Sequence, residues 1–356
     1  MSMADDTPVH IRRPRYRGKH PRGFHEKYKE LDPTRYGADV EKVLAAGKTP
    51  AGSHRPIMVD EVLEALNPQP GETAVDATLG GGGHARAMLE RILPGGRLIG
   101  LDVDPIELPR TEARLRGDGF GPIVFSAHHS NFAGLARVLA AEGLRGADVI
   151  LADLGVSSMQ LDNPDRGFGY KESGPLDMRM NPSRGLPASQ VIARTPKAKL
   201  VRLLQEHADE PHAELIAGAL KAQDLETTGA LHRVVSAALG SLRLGAEDEK
   251  ASIRRTFQAL RIAVNDEFAT LDWLLRSLPE CLAPGGRVAI LTFHSGEDRR
   301  VKKAFRSAHR DGLYSATNTE VVRASRDETR GNPRASSAKL RWAIRATMAR
   351  GEDAAS

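Results

Sequence analysis

Three segments of the chain combine residue types that could do chemistry. The first is Asp76-Ala-Thr-Leu-Gly-Gly-Gly-Gly-His84, between a short apolar run and an amphipathic stretch. Consecutive glycines let a backbone approach a ligand closely, where a Cβ would block it. The second is Asp102, which ends the apolar run Arg97-Leu-Ile-Gly-Leu101. The third is Asp153, which follows Ala147-Asp-Val-Ile-Leu-Ala152.

Two cofactor classes fit these residues. Gly80-x-Gly82-x-x-Ala85 matches the dinucleotide fingerprint, with Asp102 near the right distance for a ribose hydroxyl. S-adenosylmethionine enzymes instead carry an acid just before the glycine loop, and Asp76 holds that place. A dinucleotide site usually has an apolar residue there, under the pyrophosphate. The loop alone leaves both classes open, and Asp76 leans toward the methyl donor. Asp104 more simply starts the turn into a helix at Pro105. Asp153 could accept a hydrogen from a nucleophilic amine, or could cap its own loop.

Some chemistries are disfavoured by what is missing. C5 methylation of a pyrimidine needs a thiolate. The single cysteine, Cys281, sits in an apolar helix end far from these loops and reads as core. It also excludes an intramolecular disulfide and a cysteine-built metal site. A 2′-hydroxyl methylation usually needs a lysine-centred base set, and none is evident. Methylation of an exocyclic amine needs only acceptors for the amine.

The elements that position these residues follow from the pattern. Apolar residues at 59, 62, 63 and 66 give one helix face, ended by Pro68 and Pro70. Strand-like runs at 73–77, 97–101, 122–125 and 147–152 alternate with helical stretches at 84–93, 105–116 and 132–142. That alternation means βαβ units and a parallel sheet. It stops after Asp153. Residues 161–187 are rich in Gly, Pro, Asp and Asn without being low-complexity, which marks a functional loop. A helical block follows, with Thr195 as an N-cap before Pro196 and Thr228 as a cap for a helix closed by Gly240. Apolar residues at 257, 260, 264, 268, 271, 275 and 278 predict one long helix. A fifth strand at 287–293 resumes the sheet.

The chain has 356 residues, 40% of them hydrophobic, enough for a sizeable core. No run is apolar and long enough for a membrane span or a secretory signal, so a cytoplasmic protein is expected. Net charge is +5, and residues 1–50, with 11 Lys/Arg and 7 Asp/Glu, supply +4 of it. This basic stretch reads as a disordered arm, and an anionic partner such as nucleic acid suits it. Aromatic residues are only 4%, too few for binding that relies on base stacking.

Longer motifs then make a resemblance specific. Asp153-Leu-Gly-Val-Ser-Ser-Met-Gln-Leu-Asp-Asn-Pro-Asp-Arg-Gly-Phe168 and Gly174-Pro-Leu-Asp-Met-Arg-Met180 resemble the bacterial 16S rRNA (cytosine-N4)-methyltransferases of the small ribosomal subunit, the MraW-type family. His54-Arg-Pro-Ile-Met-Val-Asp-Glu61, Asp102-Val-Asp-Pro105, Arg255-Thr-Phe-Gln-Ala-Leu-Arg-Ile-Ala-Val-Asn265, Thr292-Phe-His-Ser-Gly-Glu-Asp-Arg299 and Asn332-Pro-Arg-Ala-Ser-Ser-Ala-Lys-Leu-Arg341 agree in order. The resemblance covers about residues 53–345.

It implies a Rossmann-like adenosylmethionine-dependent methyltransferase domain, α/β, at 51–160 and 266–346. The loop and an inserted all-helical substrate-recognition domain occupy 161–265, between the arm and a disordered tail at 347–356. The implied reaction is N4-methylation of a cytidine in the decoding region of 16S rRNA. Implied cofactor contacts are Gly82, Gly83, His84, Asp102, Phe132, Asp153 and Gln160, with Asp153 also catalytic. Implied RNA contacts are Arg179, Arg254, Arg255, Arg261, His294, Arg299, Arg334 and Arg341. For Arg179, a salt bridge to Asp177 is an equal alternative. No metal and no membrane are expected; the partner is 16S rRNA in the small ribosomal subunit, and a homodimer is compatible.

Three departures from the family pattern stand out: His207-Ala-Asp-Glu210 for Tyr-Gly-Glu-Glu, Gly296 for Leu, and Ser336 for Arg. The arm is also outside the usual pattern. A dinucleotide oxidoreductase and a non-catalytic RNA-binding assembly factor are the alternative functions.

Overall fold

A computed structural model describes Tyr28 and residues 56–347. Its centre is a seven-stranded sheet of order β3-β2-β1-β4-β5-β7-β6. The strands are β1 (Thr73–Asp76), β2 (Arg97–Asp102), β3 (Phe125–His129), β4 (Ala147–Asp153), β5 (Leu282–Thr292), β6 (Tyr314–Thr317) and β7 (Lys339–Arg345). Strands β1 to β5 run parallel, and β7 is antiparallel to both β5 and β6.

The central strands are apolar throughout because both faces are covered. Val75, Ile99, Ile150, Val288 and Ile290 face one core. Their neighbours Ala74, Leu98, Val149, Ala289 and Leu291 face the other. Helices α1 (Val59–Leu66), α2 (Gly83–Ile92) and α3 (Glu107–Gly117) cover the second face, through residues such as Leu66, Met88 and Leu115. Helices α4 (Leu135–Ala141), α11 (Glu267–Cys281) and α12 (Ser295–Arg310) cover the first, through Leu139, Leu274 and Phe305. Among the described residues no helix is long and apolar enough to cross a membrane.

Between β4 and α11 lie α5 (Ser158–Asp162), α6 (Ala188–Arg194), α7 (Lys197–Ala208), α8 (Ala213–Lys221), α9 (Thr228–Gly240) and α10 (Ala246–Asn265). They enclose a separate core that includes Leu204, Ile216, Val235 and Leu260. Phe168, Leu176 and Met178, from the stretch between α5 and α6, pack into it as well.

Several elements differ from the sequence reading. The third strand is shifted to Phe125–His129, because Pro122-Ile-Val belongs to a turn in which Ile123 is 89% exposed. The strand itself is polar, since it edges the sheet. The long helix is two helices, broken at Asp266 with φ 52°. The apolar period runs through the break because Phe257 and Leu260 enter the helical core, whereas Leu271 and Leu278 enter the sheet core. Thr195 is the C-cap of α6, not an N-cap; Pro196 precedes α7. The cap of α9 is Thr227, whose side chain accepts from the Ala230 N–H.

Candidate active site

The parallel strands end in acids at one edge of the sheet. Asp76 ends β1, Asp102 ends β2 and Asp153 ends β4. Glu297 adds a fourth, in the first turn of α12 just after β5. Open α/β sheets bind ligands at this carboxyl edge.

Burial dominates the electrostatics of these acids. It raises Asp153 to about 8, with help from the charges of Asp76 and Glu297. It raises Asp76 to about 7 against hydrogen bonds from Thr78, and Asp102 to about 6 against N–H donors. Glu297 is the exception. Burial alone would raise it, but His294 and Arg261 outweigh that and hold it low. Asp153 Oδ1 is buried and has no hydrogen-bond partner. A buried, unpartnered acceptor costs free energy and calls for an explanation.

Local structure aims each group. Thr78 Oγ1 accepts from the Asp153 N–H at 2.6 Å, and Asp76 Oδ1 accepts from the Thr78 N–H at 3.1 Å. Asp102 accepts from the Gly80 N–H at 2.7 Å and the Asp104 N–H at 2.8 Å, which fixes its carboxylate at the edge. His84 opens α2. Its Nε2 lies 3.0 Å from the Ile57 carbonyl, so that nitrogen carries the proton. Nδ1 is then a neutral acceptor, 3.7 Å from Asp153 Oδ2. Burial holds the His84 ring down to about 4, so it is uncharged at neutral pH.

The four glycines divide into two pairs. A Cβ on Gly82, at φ 70°, would sit 2.8 Å from Thr111 Cγ2, and one on Gly83 would sit 2.8 Å from Pro56 Cγ. These two give way to neighbouring protein. A Cβ on Gly80 or Gly81 would meet nothing closer than 3.7 Å, so these two present the open backbone. Phe132 begins a 3₁₀ turn after β3 and packs at the margin of the sheet core.

Asp104 does more than start a turn. It is fully buried, accepts from the Ile106 N–H, and takes hydrogen bonds from Gln160 Nε2 and Arg166 Nη1, both 2.7 Å. Gln160 Oε1 accepts from the Ser157 N–H. Both ends of the Gln160 amide are thus committed to holding the loop after β4. Arg166 also donates to the carbonyls of Arg179 and Met180. Met178 is held at φ 64°, with its carbonyl accepting from Asn265 Nδ2. The 161–187 stretch is therefore pinned across the ends of β2 and β3. Sequence reasoning passed over Arg166 and Asn265, although both lie within the family-like motifs; nothing in an Arg or Asn marks it as a partner for a distant backbone carbonyl.

The expected RNA residues scatter. Arg179 is engaged with Asp177 at 2.6 and 2.8 Å, the salt bridge that stood as its alternative role. Arg261 is paired with Glu267 at 2.8 Å and only 17% exposed. Arg341 is buried against Asp298 at 2.8 Å. Neither presents an exposed cation, because each sits where its carboxylate partner is buried with it. His294 is also mostly enclosed, 3.1 Å from Glu297. Arg334 pairs with Asp162, and Arg299, well exposed, with Asp209. Arg254 is exposed and Arg255 half-buried.

Two departures meet at one side chain. The His207 ring stands edge-on to Phe268 at 5.4 Å, and a Cβ on Gly296 would lie 2.7 Å from Phe268 Cζ. Phe268 occupies space that a leucine at 296 would need. Ser336 is exposed, and its hydroxyl donates to the Pro333 carbonyl.

Strand order, the acids at the carboxyl edge and the open glycine backbone together define a Rossmann-like methyltransferase. The chain belongs to the MraW methylase family, whose model matches residues 51–346. It is 48% identical over 349 residues to ribosomal RNA small subunit methyltransferase H 1 of Lachnoclostridium phytofermentans, covering 96% of this chain and 95% of that one. It is 48% identical over 342 residues to methyltransferase H 2 of Alkaliphilus metalliredigens, covering 94% and 97%. The corresponding protein of Sorangium cellulosum is 43% identical over 296 residues, covering 82% and 90%. Alignments spanning 94–96% of the chain must run through much of residues 1–50. Those two relatives thus share part of the arm, yet it lies outside the family model, which begins at residue 51, as the sequence reading expected; its structure lies outside the described residues.

Proposed function

We propose that this chain transfers the methyl group of S-adenosylmethionine to N4 of a cytidine in the decoding region of 16S rRNA, acting on the small ribosomal subunit. One observation carries the reading: three acids whose charged forms are disfavoured share the carboxyl edge, no cation is among the causes of their shifts, and Asp153 Oδ1 has no partner. Such an edge suits a cationic ligand and an amine donor. A pyrophosphate there would be repelled by the same carboxylates, which argues against the dinucleotide alternative.

The residues fit the cofactor. Asp102 would take the ribose hydroxyls, Gly80 and Gly81 would leave room for the amino-acid end, and Phe132 would flank the adenine. When bound, the cofactor supplies an electrophilic methyl group on a sulfonium. The cytosine amine is a weak nucleophile, because its lone pair is delocalised into the ring. Asp153, ionised once the cationic cofactor is in place, accepts a hydrogen bond from that amine at Oδ1, turns the nitrogen toward the methyl group and takes up the proton that the nitrogen sheds as it is methylated. The His84 ring lines the site beside the other carboxyl oxygen, with Nδ1 3.7 Å from Oδ2. Positioning of this kind can supply roughly 7–11 kcal/mol of a barrier. The base must first be unstacked and enter the site, where the loop held by Arg166 and Asn265 excludes water.

A binding factor without catalysis would gain nothing from a carboxyl kept at this electrostatic cost. The test is transfer of labelled methyl from S-adenosylmethionine to small subunits that lack the modification. Transfer that disappears in Asp153→Ala supports the reading. Cofactor binding without transfer to any subunit RNA would contradict it.

A further inference from the structure

Resting on the rRNA methyltransferase reading, we propose that the outer face of α12 is a phosphate-binding rail for the flank of the substrate RNA. Residues 299–310 hold Arg299, Arg300, Lys302, Lys303, Arg306 and Arg310, with no acid among them. Five of these six, with Ser307, line a shallow groove of about 330 Å³. The other face of the helix is apolar and anchored, with Val301 and Phe305 buried in the sheet core.

Spacing puts the cations on one side. Arg299, Lys303, Arg306 and Arg310 recur at three- and four-residue intervals, so they line one face over roughly 16 Å. Like charges at these intervals destabilise a helix. Arg299 and Arg300 are neutralised by Asp209 and Asp272, and Arg310 lies 3.7 Å from Asp311. Lys302, Lys303 and Arg306 have no ion-pair partner among the described residues. A concentrated charge left open in this way suits a polyanion that lies along the helix.

The position of the rail selects the polyanion. Helix α12 starts immediately after β5, whose Leu291 pairs with Asp153 in the sheet. The rail therefore begins beside the carboxyl that receives the amine and runs away along the flank. A strand whose cytidine enters the site has neighbouring phosphates to lay along it. Contacts to phosphate set register and affinity and read no sequence.

The experiment measures equilibrium binding of full-length protein to 16S rRNA over a series of salt concentrations. The triple variant K302Q/K303Q/R306Q should bind about ten-fold more weakly, or worse, near 0.1 M salt. Each phosphate that the protein neutralises on a single strand contributes about 0.7 to the slope of log affinity against log salt, so that slope should become shallower by about 2. The charge-preserving triple K302R/K303R/R306K should bind as the wild type does. Thermal stability should be unchanged in the charge-preserving variant and equal or slightly higher in the glutamine variant. S-adenosylmethionine affinity should be unchanged in both, and KM for the RNA should rise in the glutamine variant with kcat unchanged. A K302Q/K303Q/R306Q protein with wild-type affinity and salt slope would overturn the rail while leaving the methyltransferase reading intact. A wild type that neither binds RNA nor transfers methyl would overturn both.

Discussion

Replacing Asp153 with asparagine should make the protein more stable and much less active. In the fold the carboxyl keeps its proton to about 8, against 3.8 for the unperturbed group. Between those values the folded protein binds a proton that the unfolded chain has released, so wild-type stability falls as pH rises from about 4 to about 8. Each unit is worth about 1.4 kcal/mol, so roughly three units up to neutral pH give a ceiling of about 4 kcal/mol. The side chain is 28% exposed, and water screens much of that; a gain of about 1–2 kcal/mol is expected for Asp153→Asn at pH 7. That corresponds to roughly 1–3 °C in melting temperature for a protein of this size. The assay is thermal unfolding of both proteins from pH 4 to pH 9, beside methyl transfer at each pH. The stability gap should open across this window and stay level above it. Turnover should fall by about 10²-fold or more, since the asparagine amide oxygen still accepts a hydrogen bond but cannot take up the proton of the amine. A gap that ignores pH, or a variant less stable than wild type at pH 8, would refute the electrostatic reasoning. Full activity in the variant would refute the role of Asp153.

Three further outcomes follow from the geometry. S-adenosylmethionine binding at pH 7 should release protons, because a cation drives Asp76 and Asp153 toward their charged forms; S-adenosylhomocysteine, which lacks the sulfonium charge, should release fewer, as calorimetry in buffers of different ionisation enthalpy would read. Arg166→Ala leaves Asp104 buried without its cation, so unfolding free energy should drop by about 3–5 kcal/mol and residues 163–187 should become protease-sensitive; unchanged proteolysis would contradict the pinning role. Gly296→Leu should cost about 1–3 kcal/mol through collision with Phe268, and Phe268→Ala should relieve part of that in a double-mutant cycle; additive effects would mean that the two positions do not compete for space.

The alternation of apolar runs and glycine-rich turns made most of the parallel sheet legible, because strands buried on both faces leave unbroken apolar runs. The edge strands β3 and β6, and β7 between β5 and β6, were harder. They are short, polar or alternating, and their pairing is set by partners far along the chain. The break at Asp266 was invisible for a related reason: apolar period reports that a face is buried, not which core it enters. Asp76, Asp102 and Asp153 were legible because they terminate strands. Their shared electrostatic strain was not, since it arises from burial and mutual approach in the fold. The role of Gly82 and Gly83 in packing, and of Arg166 and Asn265 in holding the loop, likewise needed the neighbours to be seen.

The central claim concerns which atom receives the methyl group, and nucleoside mass spectrometry tests it most directly. Small subunits from cells lacking the modification would be treated with the protein and labelled S-adenosylmethionine, and their RNA digested to nucleosides. The account predicts a single labelled product, N4-methylcytidine, absent when Asp153 is replaced by alanine. Label on a ribose 2′-oxygen, on C5 of a pyrimidine, or unchanged in Asp153→Ala would contradict it.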